Sequence, residues 1–194
     1  MDLGYNNPKA SKFVTNVGII TSNGPNGHNI MAAEWTYYVS YSPALMSVHV
    51  GRGVPPLGKA TMENIRATRE FGVSIAASGQ NVFASIAGGS SGRDVDKIAL
   101  LREMGAEFYP AKNIGVLLLK GAAMHAECRV KDIMEIGDHF MVIGEVLDAE
   151  SDETKEPLAY NFGRYRSIGP FLEKPQQELR DRIDALKLKY TKKK

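Results

Sequence analysis

The sequence lacks residues on which several classes of protein depend. Its 194 residues include a single cysteine, Cys128, so no intrachain disulfide can form, and this composition fits a reducing compartment. No strictly apolar run is longer than that of residues 116–119, which falls far below the roughly 20 residues of a membrane-spanning helix. Residues 1–20 contain no apolar signal core. We therefore predict a cytoplasmic protein without a transmembrane segment.

Motifs of common enzyme classes are also missing. There is no GxGxxG after a predicted strand, no GxxxxGK(S/T), no HExxH and no GxSxG. The histidines His28, His49, His125 and His139 do not pair at the spacing of metal ligands on a helix, and one cysteine cannot build a zinc cage. We predict no metal site, and we assign Cys128, inside a predicted strand, to the core.

Charge is distributed unevenly along the chain. The net charge is +2, but residues 173–194 carry +4 and residues 1–172 carry −2. A nucleic-acid-binding protein usually shows positive charge on a face of its folded body, so we interpret the tail first as a solvated segment and second as a nucleic-acid-binding arm. The 43% of hydrophobic residues suffices for a core. We predict one main domain, 1–172, followed by a helical and basic appendage, 173–194.

Alternating apolar residues and turn signals predict a mainly β protein. The pattern indicates about seven strands, joined mostly by hairpins, with two or three short helices inserted. Parallel βαβ units would need strict alternation of strand and helix, so the pattern favours an antiparallel sheet with enough strands to close a barrel. The predicted strands cover residues 13–21, 29–41, 44–51, 71–77, 114–119, 121–134, 139–149 and 157–169.

The predicted helices have recognisable ends. One helix begins at Thr61, whose hydroxyl is suited to cap it, and another begins at Asp94 and ends at Gly105. Pro175 suits the first turn of a C-terminal helix over residues 175–190. An apolar stripe runs along this helix at Leu179, Ile183 and Leu186. A helix this short is marginal alone, so we expect it to dock on its own barrel or on that of a partner.

Two loops contain groups that favour an anion. Arg52, Lys59 and Thr61 lie in one short segment that ends at a predicted helix N-terminus. Two cations, a hydroxyl and free backbone N–H groups would accept a phosphate monoester, and the alternative is a solvated basic loop. The second loop, residues 88–94, is either a flexible connector or a nest of backbone N–H groups that binds an anion.

Six blocks follow one another in a fixed order between residues 14 and 172. They are 29–35 (NIMAAEW), 42–50 (SPALMSVHV), 61–65 (TMENI) with 70–75 (EFGVSI), 127–130 (ECRV), 137–139 (GDH) with 144–146 (GEV), and 165–169 (YRSIG). In this order and spacing they resemble the flavin reductase-like family with an FMN-binding split barrel, notably flavoredoxin and archaeal ferric reductase-type proteins. Glu34 departs from the family pattern of small polar residues there, and a carboxylate at that place would disfavour an anionic reduced flavin.

The resemblance implies an antiparallel Greek-key split β-barrel that forms a homodimer, with one FMN per subunit near the interface. It implies that the first block lies along the isoalloxazine, that the second leads toward the phosphate, and that the short helix 81–87 closes the site. The implied cofactor-binding residues are Met31, Ala32, Ala33, Glu34, Trp35, Ser47, His49, Val50, Gly51, Arg52, Lys59, Thr61, Ser85 and Ala87.

The function that the resemblance implies is that of an FMN-dependent oxidoreductase. NADH or NADPH would reduce the flavin, which would pass electrons to free flavin, ferric complexes or a protein acceptor. The flavin itself carries out the redox chemistry, so no catalytic triad is needed. The alternatives are an FMN-binding electron carrier with little turnover of its own and a nucleic-acid-binding module that uses the tail. His139 is a candidate catalytic residue, with a solvated hairpin histidine as the alternative.

An aromatic strand predicts a second copy of the chain as a partner. Within residues 31–41, the aromatic residues Trp35, Tyr37, Tyr38 and Tyr41 are unusually dense for an exposed surface. A patch of this kind is usually covered by another subunit. We therefore predict a homodimer from these residues as well as from the resemblance.

Overall fold

Antiparallel strands dominate the fold, which a computed structural model describes for residues 1–4, 7–54 and 58–192. The strands in these ranges are β1 (Thr15–Asn16), β2 (Gly18–Ser22), β3 (Asn29–Ala33), β4 (Thr36–Tyr41), β5 (Ala44–Gly51), β6 (Glu70–Ile75), β7 (Phe108–Pro110), β8 (Leu117–Leu119), β9 (Met124–Ile136), β10 (His139–Ser151), β11 (Ala159–Asn161) and β12 (Arg164–Arg166). The helices are α1 (Ala60–Thr68), α2 (Asn81–Gly89), α3 (Lys97–Glu103) and α4 (Gln177–Lys189).

Seven strands form one sheet in the order β3-β2-β6-β9-β10-β5-β4, and every pair in it is antiparallel. The two edge strands, β3 and β4, follow each other in the chain and are separated only by Glu34 and Trp35. The two edges must therefore meet at this point, and the backbone N–H of His49 donates to the carbonyl of Trp35 at 2.9 Å. The antiparallel β-barrel with inserted helices is confirmed.

The barrel interior is filled by the inward-facing residues of these strands. Phe71, Val48 and Val142 are fully buried there. Gly144 makes room for the Phe71 ring, because a Cβ at Gly144 would lie 2.5 Å from Phe71 Cζ. A second apolar cluster lies around α2 and α3, where Ile98 and Leu101 are buried as predicted. The second core holds α2 and α3 against the sheet, whereas Met62 and Ile65 of α1 belong to the barrel core.

Four strand predictions need correction. The predicted strand 13–21 is two strands, because β1 pairs with β11 whereas β2 pairs with β3 and β6. The predicted strand 29–41 is two strands, because β3 pairs with β2 whereas β4 pairs with β5 at the other edge of the sheet. The predicted strand 157–169 is the hairpin of β11 and β12. The strand β7 was not predicted, and it pairs with β8 beside the barrel. Tertiary pairing, which local patterns do not contain, decides each of these cases.

The helix caps also differ from the prediction. The helix α1 begins at Ala60, so Lys59 is its N-cap and Thr61 lies inside the helix, where its hydroxyl accepts a hydrogen bond from Asn29 Nδ2 at 2.7 Å. Asp96, not Asp94, caps α3 by accepting from the backbone N–H of Ala99 at 3.0 Å. Gly105 follows the end of α3 with a φ of +88°, as a helix stop requires.

The C-terminal helix forms but does not dock on its own barrel. It begins at Gln177, so Pro175 precedes it, contrary to our prediction. Every residue from 167 to 192 is exposed, including the apolar stripe. Of the two predicted docking partners, the chain's own barrel is therefore excluded for the described residues in this structure.

Candidate functional site

A cleft of about 550 Å³ opens between β3, the start of α1 and the segment from α2 to α3. Five residues from the predicted site line it, namely Met31, Ala32, Lys59, Thr61 and Ala87. The predicted phosphate loop and the predicted anion nest therefore face each other across one cavity. Its other lining residues are Gly53, Val54, Gly58, Ala60, Gly88, Gly89, Ser90, Ser91, Gly92, Arg93, Asp94 and Lys97.

Two glycines shape the loop on one side of the cleft. Gly53 and Gly58 have φ values of +76° and +66°, which L side chains rarely adopt. A Cβ at Gly53 would also lie 2.9 Å from the backbone N of Lys59. The loop therefore doubles back on itself and brings Lys59 to the cleft. Residues 55–57 of the predicted loop lie outside the described residues.

On the opposite side of the cleft, the buried side-chain amide of Asn29 connects β3 to α1. Asn29 donates to the Thr61 hydroxyl at 2.7 Å, and both side chains are buried. Gly92 packs directly on this amide, because a Cβ there would lie only 2.1 Å from Asn29 Oδ1. The segment Gly88–Gly92 thus approaches the strand more closely than a residue with a side chain could.

We expect Gly92→Ala to destabilise the protein by about 1–3 kcal/mol, because the Asn29 amide must move and its hydrogen bond to Thr61 is lost. Urea denaturation followed by circular dichroism measures this difference. Gly89→Ala is the matched control, since a Cβ at Gly89 meets nothing within 4 Å. Equal stabilities for the two variants would contradict this account of the packing.

Three cations line the cleft, and two of them were not predicted. Arg93 binds three segments together, donating to the Gly58 carbonyl at 3.1 Å, to Asn26 Oδ1 at 3.2 Å and to the Glu63 carboxylate at 2.6 Å. Lys59, at the N-terminus of α1, is exposed at the cleft. Because Glu63 offsets the charge of Arg93, Lys59 is the exposed cation of a cleft that is bordered by small residues.

Lys97 is the third cation and is only 3% exposed. Its Nζ donates to the carbonyls of Ala87 at 2.9 Å and Ser90 at 3.2 Å, so it holds the end of α2 in place. Burial, with a smaller contribution from Lys59, lowers the pKa of Lys97 from 10.5 to about 8. A buried cation with a lowered pKa at the wall of a cleft is typical of a functional site.

An aromatic cluster lies beside the cleft, on the outer face of β5 and β10. The rings of Trp35 and His139 are 4.6 Å apart between centroids, and those of Trp35 and His49 are 5.8 Å apart. Gly51 connects the cluster to the cleft, because its Cβ position is 3.5 Å from Lys59 Cε and 3.6 Å from His139 Nε2. The cations and the aromatic rings therefore belong to one continuous surface.

The surroundings of the aromatic cluster shift the pKa values of polar groups in and beside it. Burial, followed by the charge of His139, lowers the pKa of His49, which is therefore mostly neutral at pH 7. The Asp138 carboxylate contacts His139 Nδ1 at 2.6 Å, and this hydrogen bond lowers the pKa of Asp138. Burial raises the pKa of Glu34.

The remaining predicted residues lie elsewhere. The side chains of Ala33 on β3 and Val50 on β5 belong to the barrel core, and Ser47, also on β5, is buried. Arg52 forms an ion pair with Glu135 instead of facing the cleft. Ser85 is on the exposed side of α2 and donates to the hydroxyl of Tyr165 at 3.2 Å.

Sequence reasoning missed Arg93 although a local signal for it was present. Residues 88–94 contain three glycines and two serines directly before a helix, and such a segment positions backbone N–H groups for an anion. The segment forms one wall of the cleft, carries one cation and is followed by another.

Other kinds of site find little support in the part of the chain that the structure describes. No group of three or more His, Cys, Asp or Glu side chains there is arranged to hold a metal ion. Within the same ranges every helix is too short or too polar to span a bilayer. Cys128 is buried, which raises its pKa to about 12 and leaves the thiol unreactive.

Comparison with known structures defines the class of protein. The NADH:FAD oxidoreductase of Streptomyces globisporus, solved in complex with NAD and FAD fragments, matches with a TM-score of 0.72 and 27% identity, over 84% of this chain and 90% of that chain. The fold is that of a flavin reductase-type oxidoreductase. Residues 10–169 match the family model described as the flavin reductase like domain, and the chain belongs to this family.

Two further structures extend the comparison. The flavin reductase component of a bacterial two-component tryptophan halogenase matches with a TM-score of 0.70 and 26% identity, over 83% of this chain and 94% of that chain. Flavoredoxin from Methanosarcina acetivorans shares the fold, with a TM-score of 0.75 and 22% identity, over 91% of this chain and 96% of that chain. The predicted resemblance to flavin reductases and flavoredoxin is confirmed.

Proposed function

We propose that this protein binds FMN and passes electrons from NADH or NADPH through the flavin to an acceptor. One observation carries the proposal: a cleft with the cations Lys59, Arg93 and Lys97 adjoins an aromatic cluster across Gly51. Cations suit a phosphate, and aromatic rings suit a flat heterocycle, which are the two chemical ends of FMN. The likeness to an NADH:FAD oxidoreductase supports the redox chemistry.

The residues of the cleft fit the phosphate end of FMN. Lys59 offers a charged donor, and the backbone N–H groups at the N-terminus of α1 add uncharged ones. Gly88, Gly89 and Gly92 leave the backbone of the opposite wall accessible. We assign the phosphate to this cleft and the ribityl chain to the surface between Lys59 and Gly51.

The residues around Trp35 fit the ring end. Since β3 pairs with β2 on one side only, backbone groups on its other side are available to the polar edge of an isoalloxazine. The indole of Trp35 offers an apolar face, and the neutral imidazole of His49 adds no charge. When bound, FMN supplies the redox chemistry, which is to accept a hydride and to pass its electrons on. These residues bind and orient the ring.

The visible spectrum of the purified protein, followed by titration with FMN, tests the proposal. We expect one FMN per subunit and rapid bleaching of the bound flavin when NADH or NADPH is added without oxygen. Bleaching only by a chemical reductant would favour the alternative, an electron carrier with little turnover of its own. A protein that binds no flavin in the titration would refute both.

We propose that His139 contacts the nicotinamide dinucleotide beside the flavin. Its ring packs on Trp35 and is oriented by Asp138 through Nδ1, while Nε2 makes no hydrogen bond to any described residue. We expect His139→Phe to raise the KM for NADH by about tenfold, the loss of one hydrogen bond, with FMN affinity unchanged. His139→Gln should restore part of the affinity. A KM equal to that of the wild type in steady-state assays would refute this role.

The proposal also includes the acceptor of the electrons. Free flavin, ferric complexes and a protein acceptor all remain compatible with a flavin at an open cleft. The matching reductase component of a two-component system supports transfer of reduced flavin to a partner enzyme. A cytoplasmic location is supported by the single cysteine, and the slightly acidic body argues against nucleic acid as the partner.

We propose that the protein is a homodimer through the aromatic face of β4. Tyr38 is 54% and Tyr41 88% exposed, and an apolar groove of about 380 Å³ lies beside them, lined in part by Met46 and Ile75. We expect light scattering at micromolar concentration to give twice the mass of one chain, and Tyr38→Glu to give monomers because it would bury a charge. A monomeric wild type with flavin bound would contradict the proposal.

The tail fits this assembly. We propose that residues 173–194 form an appendage to the domain formed by residues 1–172. The exposed stripe of α4 finds no partner on its own barrel among the described residues, which leaves the barrel of the second subunit as its docking site. The positive charge of the tail then reflects the lysines in the last turn of the helix and beyond.

A further inference from the structure

Glu34 is a partly buried carboxylate without a partner. With Trp35 it forms the link between β3 and β4, at the point where the two edges of the sheet meet. Its carboxyl group makes no ion pair and no hydrogen bond with any residue that the structure describes. Glu127, in contrast, is buried and accepts from the backbone N–H groups of Lys112 and Asn113 at 2.7 and 2.6 Å. Removing a carboxylate from water without such partners costs free energy, so stability does not explain Glu34.

Glu34 lies beside the aromatic cluster, at the end that is far from the cleft. Burial raises the pKa of Tyr37 and the charge of Glu34 raises it further, so these two groups lie close together. Tyr37 is opposite Ser47 on β5, whereas Gly51 at the end of the same strand adjoins Lys59. The interval from Ser47 to Gly51 is about 13 Å along a strand. The surface thus carries a cation at one end and a carboxylate at the other.

This polarity distinguishes the two redox states of FMN. Under the proposed function the phosphate lies near Lys59 and the ring near Trp35, so Glu34 is at the ring end. A hydride from NADH or NADPH adds one negative charge to the neutral ring, and the nicotinamide leaves in its oxidised form. A neighbouring carboxylate repels the charged ring but not the neutral one. The part of Glu34 that is in contact with water favours its ionised form at neutral pH.

We propose that Glu34 lowers the affinity of the protein for reduced FMN relative to oxidised FMN. This inference rests on the proposed function, because it needs the flavin ring beside Trp35. Weaker binding of the reduced form lowers the reduction potential of the bound flavin, by about 30 mV for each tenfold change in the ratio of the two affinities. It also favours departure of the reduced flavin, so the fitting acceptor is a second protein that binds reduced flavin itself.

The reduction potential of protein-bound FMN, measured at pH 7 without oxygen against a reference dye, tests the proposal. We expect Glu34→Gln, which keeps the shape and removes the charge, to increase the relative affinity for reduced FMN about tenfold and so to raise the potential by about 30 mV. Glu34→Asp keeps the charge and should remain closer to the wild type. Glu145→Gln is the matched control, since Glu145 is an exposed carboxylate on β10 that does not line the cleft.

The stability of the variants and the binding of oxidised FMN complete the test. Because the Glu34 carboxylate has no partner, Glu34→Gln should be at least as stable as the wild type in urea denaturation. A marked loss of stability would assign Glu34 to the fold and overturn the proposal. A potential that does not rise in Glu34→Gln, or that rises equally in Glu145→Gln, would overturn it as well. Fluorescence titration with oxidised FMN tests the proposed function separately, and a wild type that binds no FMN refutes that function and this inference with it.

Discussion

Replacing Lys59 with alanine is expected to weaken FMN binding by about tenfold to hundredfold and to leave riboflavin binding nearly unchanged. The variant loses one charge-assisted hydrogen bond to the phosphate, worth about 1.5–3 kcal/mol. Riboflavin has no phosphate, so its affinity reports only the ring end of the site. Fluorescence titration of both flavins gives the two dissociation constants under the same conditions.

Lys120→Ala is the matched control for this change. Lys120 is an exposed lysine that pairs with Glu107 at 2.7 Å and does not line the cleft. Its loss should change neither affinity, which separates a contact with the phosphate from a general effect of net charge. If the wild type binds FMN and riboflavin equally well, the cleft does not hold the phosphate.

The sheet could be predicted from the sequence where partners are adjacent in the chain. The β9–β10 hairpin alternates strongly and turns at Gly137, whose φ of +56° favours glycine. The break at Glu34 and Trp35 could not be predicted in this way. It exists because the chain crosses from one edge of the sheet to the other, and only the closed barrel brings those edges together.

The site was predictable to a similar extent. Lys59 and Thr61 were found because cations and a hydroxyl before a helix form a local pattern. The prediction that Thr61 caps α1 was wrong, since Thr61 lies inside the helix and its hydroxyl accepts a hydrogen bond from Asn29. Lys97 had no local signal, because a lysine in a helix is usually solvated and its burial depends on the way α3 packs under the end of α2.

A network of hydrogen bonds connects the elements around the cleft. Asn64, which is fully buried, accepts from the backbone N–H of Asn26 at 2.9 Å and donates to the Gly27 carbonyl at 2.8 Å, so α1 fixes the turn after β2. Arg93 extends this network to the glycine-rich wall. A site of this kind holds its charges in position before the ligand arrives, which reduces the ordering cost of binding.

We expect Lys97 to make the proposed binding of FMN depend on pH in alkaline solution. Without ligand its pKa is about 8, and a phosphate in the cleft, near Lys59 and Arg93, favours the charged form and raises that pKa. Binding then takes up a proton, so we expect FMN affinity to fall as the pH rises above 8, by up to about tenfold per pH unit until the pKa of the complex is reached. The FMN phosphate loses its second proton near pH 6, below this range.

The stability of the ligand-free protein should change in the opposite direction. Lys97 has its ordinary pKa of 10.5 when unfolded and about 8 when folded, so between these values the unfolded chain binds more protons. The free energy of unfolding therefore rises with pH over this interval. Calorimetric titration with FMN and urea denaturation, both between pH 7 and 9.5, measure the two trends. Lys97→Met should remove both, and affinity or stability curves that match the wild type would refute the role of Lys97.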